Sequence, residues 1–181
     1  ATINHAANVP FTVTLTQGQV FNVMGTYNNG SNPQQGVDLT GSKIKSIATP
    51  TGGCKRIAVF SGSGRISLTC NGTSSSSDNY MAQALPKSAW GKNYLTIPAA
   101  GYNNNAIGTP FSYNIYRVCV QDPTTQVFID GVLTALPLQN NFYYQLAVSN
   151  TTHSITADKP IMVAQYLPSR ATCNNPGPAG D

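Results

Sequence analysis

The sequence predicts an all-β protein: an antiparallel, sandwich-like architecture of two related strand-rich units, with one short helical turn between them. Three observations carry that expectation. The chain of 181 residues has six acidic side chains, and all are Asp. With no Glu, and with Thr, Ser, Asn, Gly, Val and Tyr abundant, good helix formers are scarce and strands joined by tight turns are favoured. About ten short runs that alternate or stay apolar are separated by turn residues at regular intervals. Finally, Val37 to Ser63 and Val148 to Ser169 read as one unit written twice. Each runs from a polar turn to a strand centred on Ile44 or Ile155, through a basic turn (Lys55-Arg56 or Lys159-Pro160), to an apolar strand (Ile57–Phe60 or Ile161–Leu167). Such a duplication points to a modular surface protein more than to an enzyme.

The elements follow in order. Phe11, Val13 and Leu15 alternate with Thr12, Thr14 and Thr16, the pattern of a half-buried strand. A turn at Gln17-Gly18 leads to a second strand in QVFNVMG, and TYNNGSNPQQG is a loop by composition. Strands are expected near Ile44, at Arg56–Phe60 and at Arg65–Cys70, with Ser61–Gly64 as the Gly-rich turn of a hairpin. Residues 71 to 79 are low-complexity. Asn79–Leu85 is the one helical candidate, with Asp78 as N-cap and Pro86 as its stop. Strands then follow in NYLTIPA, YNIYRVCV, TQVFIDG, NFYYQLAVS, HSITA and PIMVAQYL. This gives a first β unit over residues 1–70, a connecting crossover over 71–109, a second β unit over 110–173 and the start of a linker at 174–181. The whole is compatible with one compact domain. Ala1 opens in mid-module and the last residues read as linker, so the chain is expected to be part of a longer polypeptide.

Charge and cysteines narrow the function. A net charge of +4 from scattered basic residues makes no basic stripe interleaved with aromatics, which argues against nucleic acid. No apolar run reaches the ~20 residues of a membrane span, so no membrane insertion is expected. Four cysteines suggest two disulfides and an oxidising compartment. Cys54 and Cys70 flank the expected hairpin almost symmetrically, and Cys119 and Cys173 remain as the second pair. Zinc is the rival reading, but no two cysteines have ligand spacing.

No catalytic constellation is expected. A hydrolytic triad needs a nucleophile, a His and a carboxylate that converge. The two His are His5, near the start, and His153, in the turn of the second copy, where a structural role is favoured. Asp38, Asp78, Asp122, Asp130 and Asp158 each sit in a turn, which Asx-type capping explains. No cofactor is implied. Calcium held by loop carboxylates stays open, although no D-x-[DN]-x-[DN]-G pattern is present. Sequons at Asn71 and Asn150 matter only in a host that glycosylates. The one Trp, Trp90, lies in a segment that either plugs one end of the sandwich or forms a recognition surface; Tyr80, Lys92 and Tyr94 are its candidate companions in binding.

The same residues carry a family resemblance. Asp38-Leu39-Thr40-Gly41, Ile57–Gly62, Gln83, Pro86, Trp90-Gly91-Lys92, Tyr94 and Asp158-Lys159-Pro160, in that order, resemble the IgGFc-binding protein N-terminal domain family. The likeness runs from about Val13 to Ser169, and Trp-Gly-Lys is its most specific part. The version here is similar to copies in very large secreted surface proteins of gliding bacteria, adhesins that leave by the type IX route. The resemblance implies an extracellular, disulfide-braced, non-catalytic module at the cell surface. It would mediate attachment to a surface, glycan or protein, or serve as a spacer in a long stalk. A glycan-active enzyme is a remoter alternative.

Overall fold

In a computed structural model of the chain, the described residues are 3–26, 36–48, 50–66, 68, 77–99 and 113–168. The chain divides into two compact units, Ala1–Leu39 and Thr40–Asp181. The only helical element among the described residues is one turn of 3-10 helix, and all the strand pairings are antiparallel.

Among the described residues of the first unit, the expected strands do not form. Phe11, Val13 and Leu15 are all exposed, and residues 11–17 have no ladder partner among the described residues. Alternation supplies a propensity, but a strand needs a neighbour to take its backbone hydrogen bonds. Phe11 instead stacks on His5 at 3.5 Å between ring centroids. The turn at Gln17-Gly18 does form, with the Gln19 amide donating to the Thr16 carbonyl at 3.1 Å.

Among its described residues the second unit holds nine strands: β1 (Phe60–Ile66), β2 (Asp78–Gln83), β3 (Gly91–Thr96), β4 (Ile115–Val120), β5 (Val127–Ile129), β6 (Val132–Leu133), β7 (Leu138–Gln139), β8 (Tyr143–Gln145) and β9 (His153–Tyr166). β1 and β2 form a two-stranded sheet. This corrects two expectations. Ser61–Gly64 is strand rather than turn, and residues 78–83 are strand rather than helix. Gly62 explains both. It lies opposite Met81, and a Cβ there would stand 2.0 Å from the Tyr80 carbonyl oxygen, so only glycine lets the two backbones close. A short isolated helix would have to carry its nucleation cost alone, and the ladder wins. The helical turn sits at Lys87–Ala89 instead, just after Pro86. Of the duplicated units, the first leaves Ile44 and Ile57 outside any strand and exposed.

The other seven strands form one sheet around β9. Ile155 is flanked by Tyr94 of β3 and Ile129 of β5, and Ile161 by Gly91 of β3 and Val120 of β4. β4 and β5 therefore follow one another along the edge of β9 opposite β3. β8 pairs with the free edge of β4, β7 with β8, and β6 with β5. β4 is buried on both faces: Tyr116, Val118 and Val120 join Val127, Leu146, Ile155 and Ile161 in the core, while Ile115 and Cys119 are buried on the other side. That is why IYRVCV reads as a nearly continuous apolar run rather than an alternating one.

The expected disulfides are absent from this structure. Cys54 and Cys119 are free thiols, so neither Cys54–Cys70 nor Cys119–Cys173 is formed; Cys70 and Cys173 themselves lie outside the described residues. Cys119 is committed to the interior of β4, where burial pushes its thiol up to about 11. Cys54 is exposed, with its thiol directed at the Ser46 carbonyl.

Candidate functional site

Some of the residues that carry the family resemblance, namely Gly91, Lys92, Tyr94 and Asp158–Pro160, meet at an irregularity in β9. The basic turn expected at Lys159-Pro160 does not reverse the chain. β9 runs straight through it for 14 residues, and Asp158–Pro160 have no ladder partners. Pro160 has no amide to donate, so a bulge is where a central strand tolerates it. On one side, β9 carries more residues between Thr156 and Ile161 than β3 does between Asn93 and Gly91. On the other, the surplus lies in the loop Gln121–Gln126 between β4 and β5.

Side chains from both flanks close this bulge. The Lys92 ammonium donates to the Asp158 carbonyl at 2.6 Å. The Tyr94 hydroxyl donates to the Ile161 carbonyl at 2.9 Å and accepts the Gly91 amide at 3.0 Å. From the loop, the Gln126 amide donates to the Asp158 carboxylate at 2.8 Å. The Lys159 ammonium donates to Asp122 Oδ2 at 2.6 Å and also to the Thr124 hydroxyl. Asp122 Oδ1 accepts the Thr124 amide and hydroxyl, each at 2.9 Å. Lys159, followed by the Thr124 groups, holds the Asp122 carboxyl down to about 2. Each charge here has an opposite partner or a backbone dipole, which suits a structural lock better than a reacting centre.

Trp90 follows the 3-10 turn and is half-buried. Its indole meets Phe142 edge-on at 6.2 Å, and its N–H points at the Leu85 carbonyl at 3.5 Å. Phe142 in turn packs over Gly41. Thr40 accepts a hydrogen bond from Arg117 at 3.1 Å, and the Arg117 guanidinium lies 4.5 Å above the Tyr143 ring. The Thr40-Gly41 end of the DLTG element is thereby docked on the same sheet as Trp90. Of the four binding candidates, Lys92 and Tyr94 lie in β3 and Trp90 immediately precedes it. Tyr80 is not with them. It lies in β2, where its hydroxyl donates to the Leu167 carbonyl and its ring tilts against Tyr166 at 6.3 Å. Burial, then Asp78, raises its pKa.

The sequence places Asp122 and Thr124 in an ordinary turn and Gln126 in the expected strand TQVFIDG. The signal for them is the Asp-Pro-Thr-Thr run itself, whose Thr hydroxyls cap Asp122. His153, set aside as a turn residue, is joined by hydrogen bonds to Ser149 and Asp130. Among the described residues, no three His, Cys, Asp or Glu side chains are grouped to hold a metal. No described helix is long and apolar enough to cross a membrane.

No curated protein and no solved structure matches the chain. A family model does: the one described as IgGFc binding protein matches residues 1–180. The match extends beyond the segments that carry the resemblance to both ends of the chain, and this protein belongs to the IgGFc-binding protein family.

Proposed function

We propose that the chain is an extracellular binding module of a cell-surface adhesin, attaching to a glycan, a protein or another surface. Large secreted surface proteins of gliding bacteria are the setting that the resemblance suggests. The observation that supports this reading is the family match over residues 1–180, to a family described by what it binds. Trp90 and Tyr80 are the proposed contact residues. Lys92 and Tyr94, with their polar tips on β9 carbonyls, are proposed to hold the neighbouring surface in shape. Leu95 and Ile97, 67% and 64% exposed, alternate with Tyr94 and Thr96 and put apolar area on the opposite face of the chain there.

The test is binding of the purified chain to a glycan array and to immobilised proteins, with immunoglobulin Fc as one arm. Trp90→Ala is expected to weaken whichever interaction is found by roughly tenfold or more, the scale of an aromatic anchor. Failure to bind in every arm, together with intact adhesion by a parent protein lacking the module, would overturn the reading. A spacer role is the second reading, favoured by the same consumption of the Lys92 and Tyr94 polar groups. Replacing the module with an unrelated β domain of similar length would preserve the parent's adhesion if spacing is all it supplies.

A further inference from the structure

At the start of β9, away from the bulge, Asp130, His153 and Ser149 form a chain of hydrogen bonds, and the Thr151 hydroxyl joins its Ser149 end, 3.0 Å from Ser149 Oγ and 3.4 Å from His153 Nε2. Asp130 Oδ2 lies 2.7 Å from His153 Nδ1, and His153 Nε2 lies 2.6 Å from Ser149 Oγ. They come from two turns. Asp130-Gly131 is the two-residue connection between β5 and β6, with Ile129 paired to Val132 and both turn residues left-handed (φ 52° and 82°). Ser149 and His153 flank the Asn150-Thr151-Thr152 turn that enters β9.

Each member is pinned through its own backbone to the sheet. The Asp130 amide donates to the Ser154 carbonyl, and Asp130 Oδ1 accepts the Ser154 amide, both at 2.8 Å, leaving Oδ2 for the imidazole. The His153 amide donates to the Thr96 hydroxyl at 3.0 Å, and the imidazole meets the Tyr116 ring edge-on at 6.2 Å. Ser149 exchanges both backbone hydrogen bonds with Asn114, which has no exposed surface. The carboxylate beside Nδ1 keeps a proton there, so Nε2 presents its lone pair to the Ser149 hydroxyl. That is the tautomer a general base requires. The turns do not need these bonds in order to close. The Asp130-Gly131 turn is closed by its backbone, and the Thr151 amide already donates to Ser149 Oγ at 3.1 Å.

We propose that Ser149 is an activated nucleophile that accepts acyl groups from accessible esters or thioesters, with His153 as general base and Asp130 as its positioning residue. Ser149 Oγ bonds to the acyl carbon as its proton passes to His153 Nε2 and the carbonyl π pair moves onto oxygen. The adduct collapses, and the alkoxide or thiolate leaves with that proton. Water repeats the sequence on the acyl-serine, giving the carboxylic acid and restoring the Ser149 hydroxyl. The site sits on surface turns, with Asp130 51% and His153 19% exposed, which fits a small activated acyl donor better than a folded peptide chain. This activity is independent of the binding role, and its failure would leave that role untouched.

The experiment uses the full chain with para-nitrophenyl acetate and, separately, with a fluorophosphonate whose adducts are mapped by peptide mass spectrometry. The expected results are a fluorophosphonate adduct on Ser149, nitrophenolate release that Ser149→Ala abolishes, and a rate about 100-fold or more lower in His153→Gln. Asp130→Asn is expected to lower the rate at neutral pH and to distort its pH profile, which a merely structural carboxylate would not do. In the wild type the rate should rise with pH and then level off, because a general base stops gaining once it is fully deprotonated, whereas attack by hydroxide keeps climbing. Three results would each overturn the proposal: a folded wild type without adduct on Ser149, labelling at an unchanged rate in a folded His153→Gln, or a rate that simply tracks hydroxide from pH 5 to 9. The wild-type pH profile decides the matter even if the His153 variant does not fold.

Discussion

Among the described residues Tyr116 is the largest side chain with no exposed surface, and its hydroxyl is buried without a hydrogen-bond partner. A buried hydroxyl left unpaired costs about 1–3 kcal/mol. Tyr116→Phe removes that hydroxyl and keeps the ring that packs on His153, so it is expected to leave stability unchanged or raise it by up to ~1 kcal/mol in denaturant unfolding. The two described cysteines should differ sharply toward a thiol reagent. Exposed Cys54 is expected to react in the native protein, whereas Cys119, buried in β4 with its thiol pushed up to about 11, is expected to react only on unfolding. Time-resolved mass spectrometry of alkylated peptides measures both. At this scale the apolar residues of β4 were legible in the sequence because their run is local. The partners of Arg117, namely Thr40, Tyr143 and Gln145, were not, because the sheet alone brings those distant positions under one guanidinium.

Among the elements, β9 illustrates how a helix or turn signal is read by its surroundings. Lys159-Pro160 carries the signature of a break, and in an isolated chain it would be one. With β3 on one edge and β4 and β5 on the other, the strand persists and the unpaired residues are absorbed as a bulge. The Asp122–Lys159 pair that flanks the bulge has a pH consequence. The Asp122 carboxyl is held at about 2 against an ordinary 3.8, so its contribution to stability is present above 3.8 and is lost as the pH falls from there toward 2. Asp122→Asn is expected to flatten the fall in melting temperature across that window while changing little at pH 7, where the exposed pair is screened. An unchanged acid profile in the variant would remove Asp122 from the account. The pairing of β1 with β2 is the complementary case. Its residues looked like a turn and a helix, and the close approach permitted by Gly62 made both strands.

For the whole molecule, the core cluster and the side chains packed on it lie between Tyr94 and Val163, entirely within the second unit. A fragment comprising residues 40–181 is therefore expected to keep its cooperative melt, within about 5 °C of the full chain by circular dichroism. A fragment that fails to melt cooperatively would show that the first unit is required. The composition alone determined that this is an all-β chain, since a sequence without Glu and rich in Thr, Val, Tyr and turn formers carries few helical preferences into any fold. Local apolar runs also marked β3, β4, β5, β8 and the two halves of β9, and the sequence carries the order of the family signature. Only the tertiary structure decided which signals became strands, where β9 bulged, and that Ser149, His153 and Asp130 meet. The physical reason is that ladder partners and hydrogen-bond acceptors come from distant segments, and a local pattern does not encode which of them will arrive.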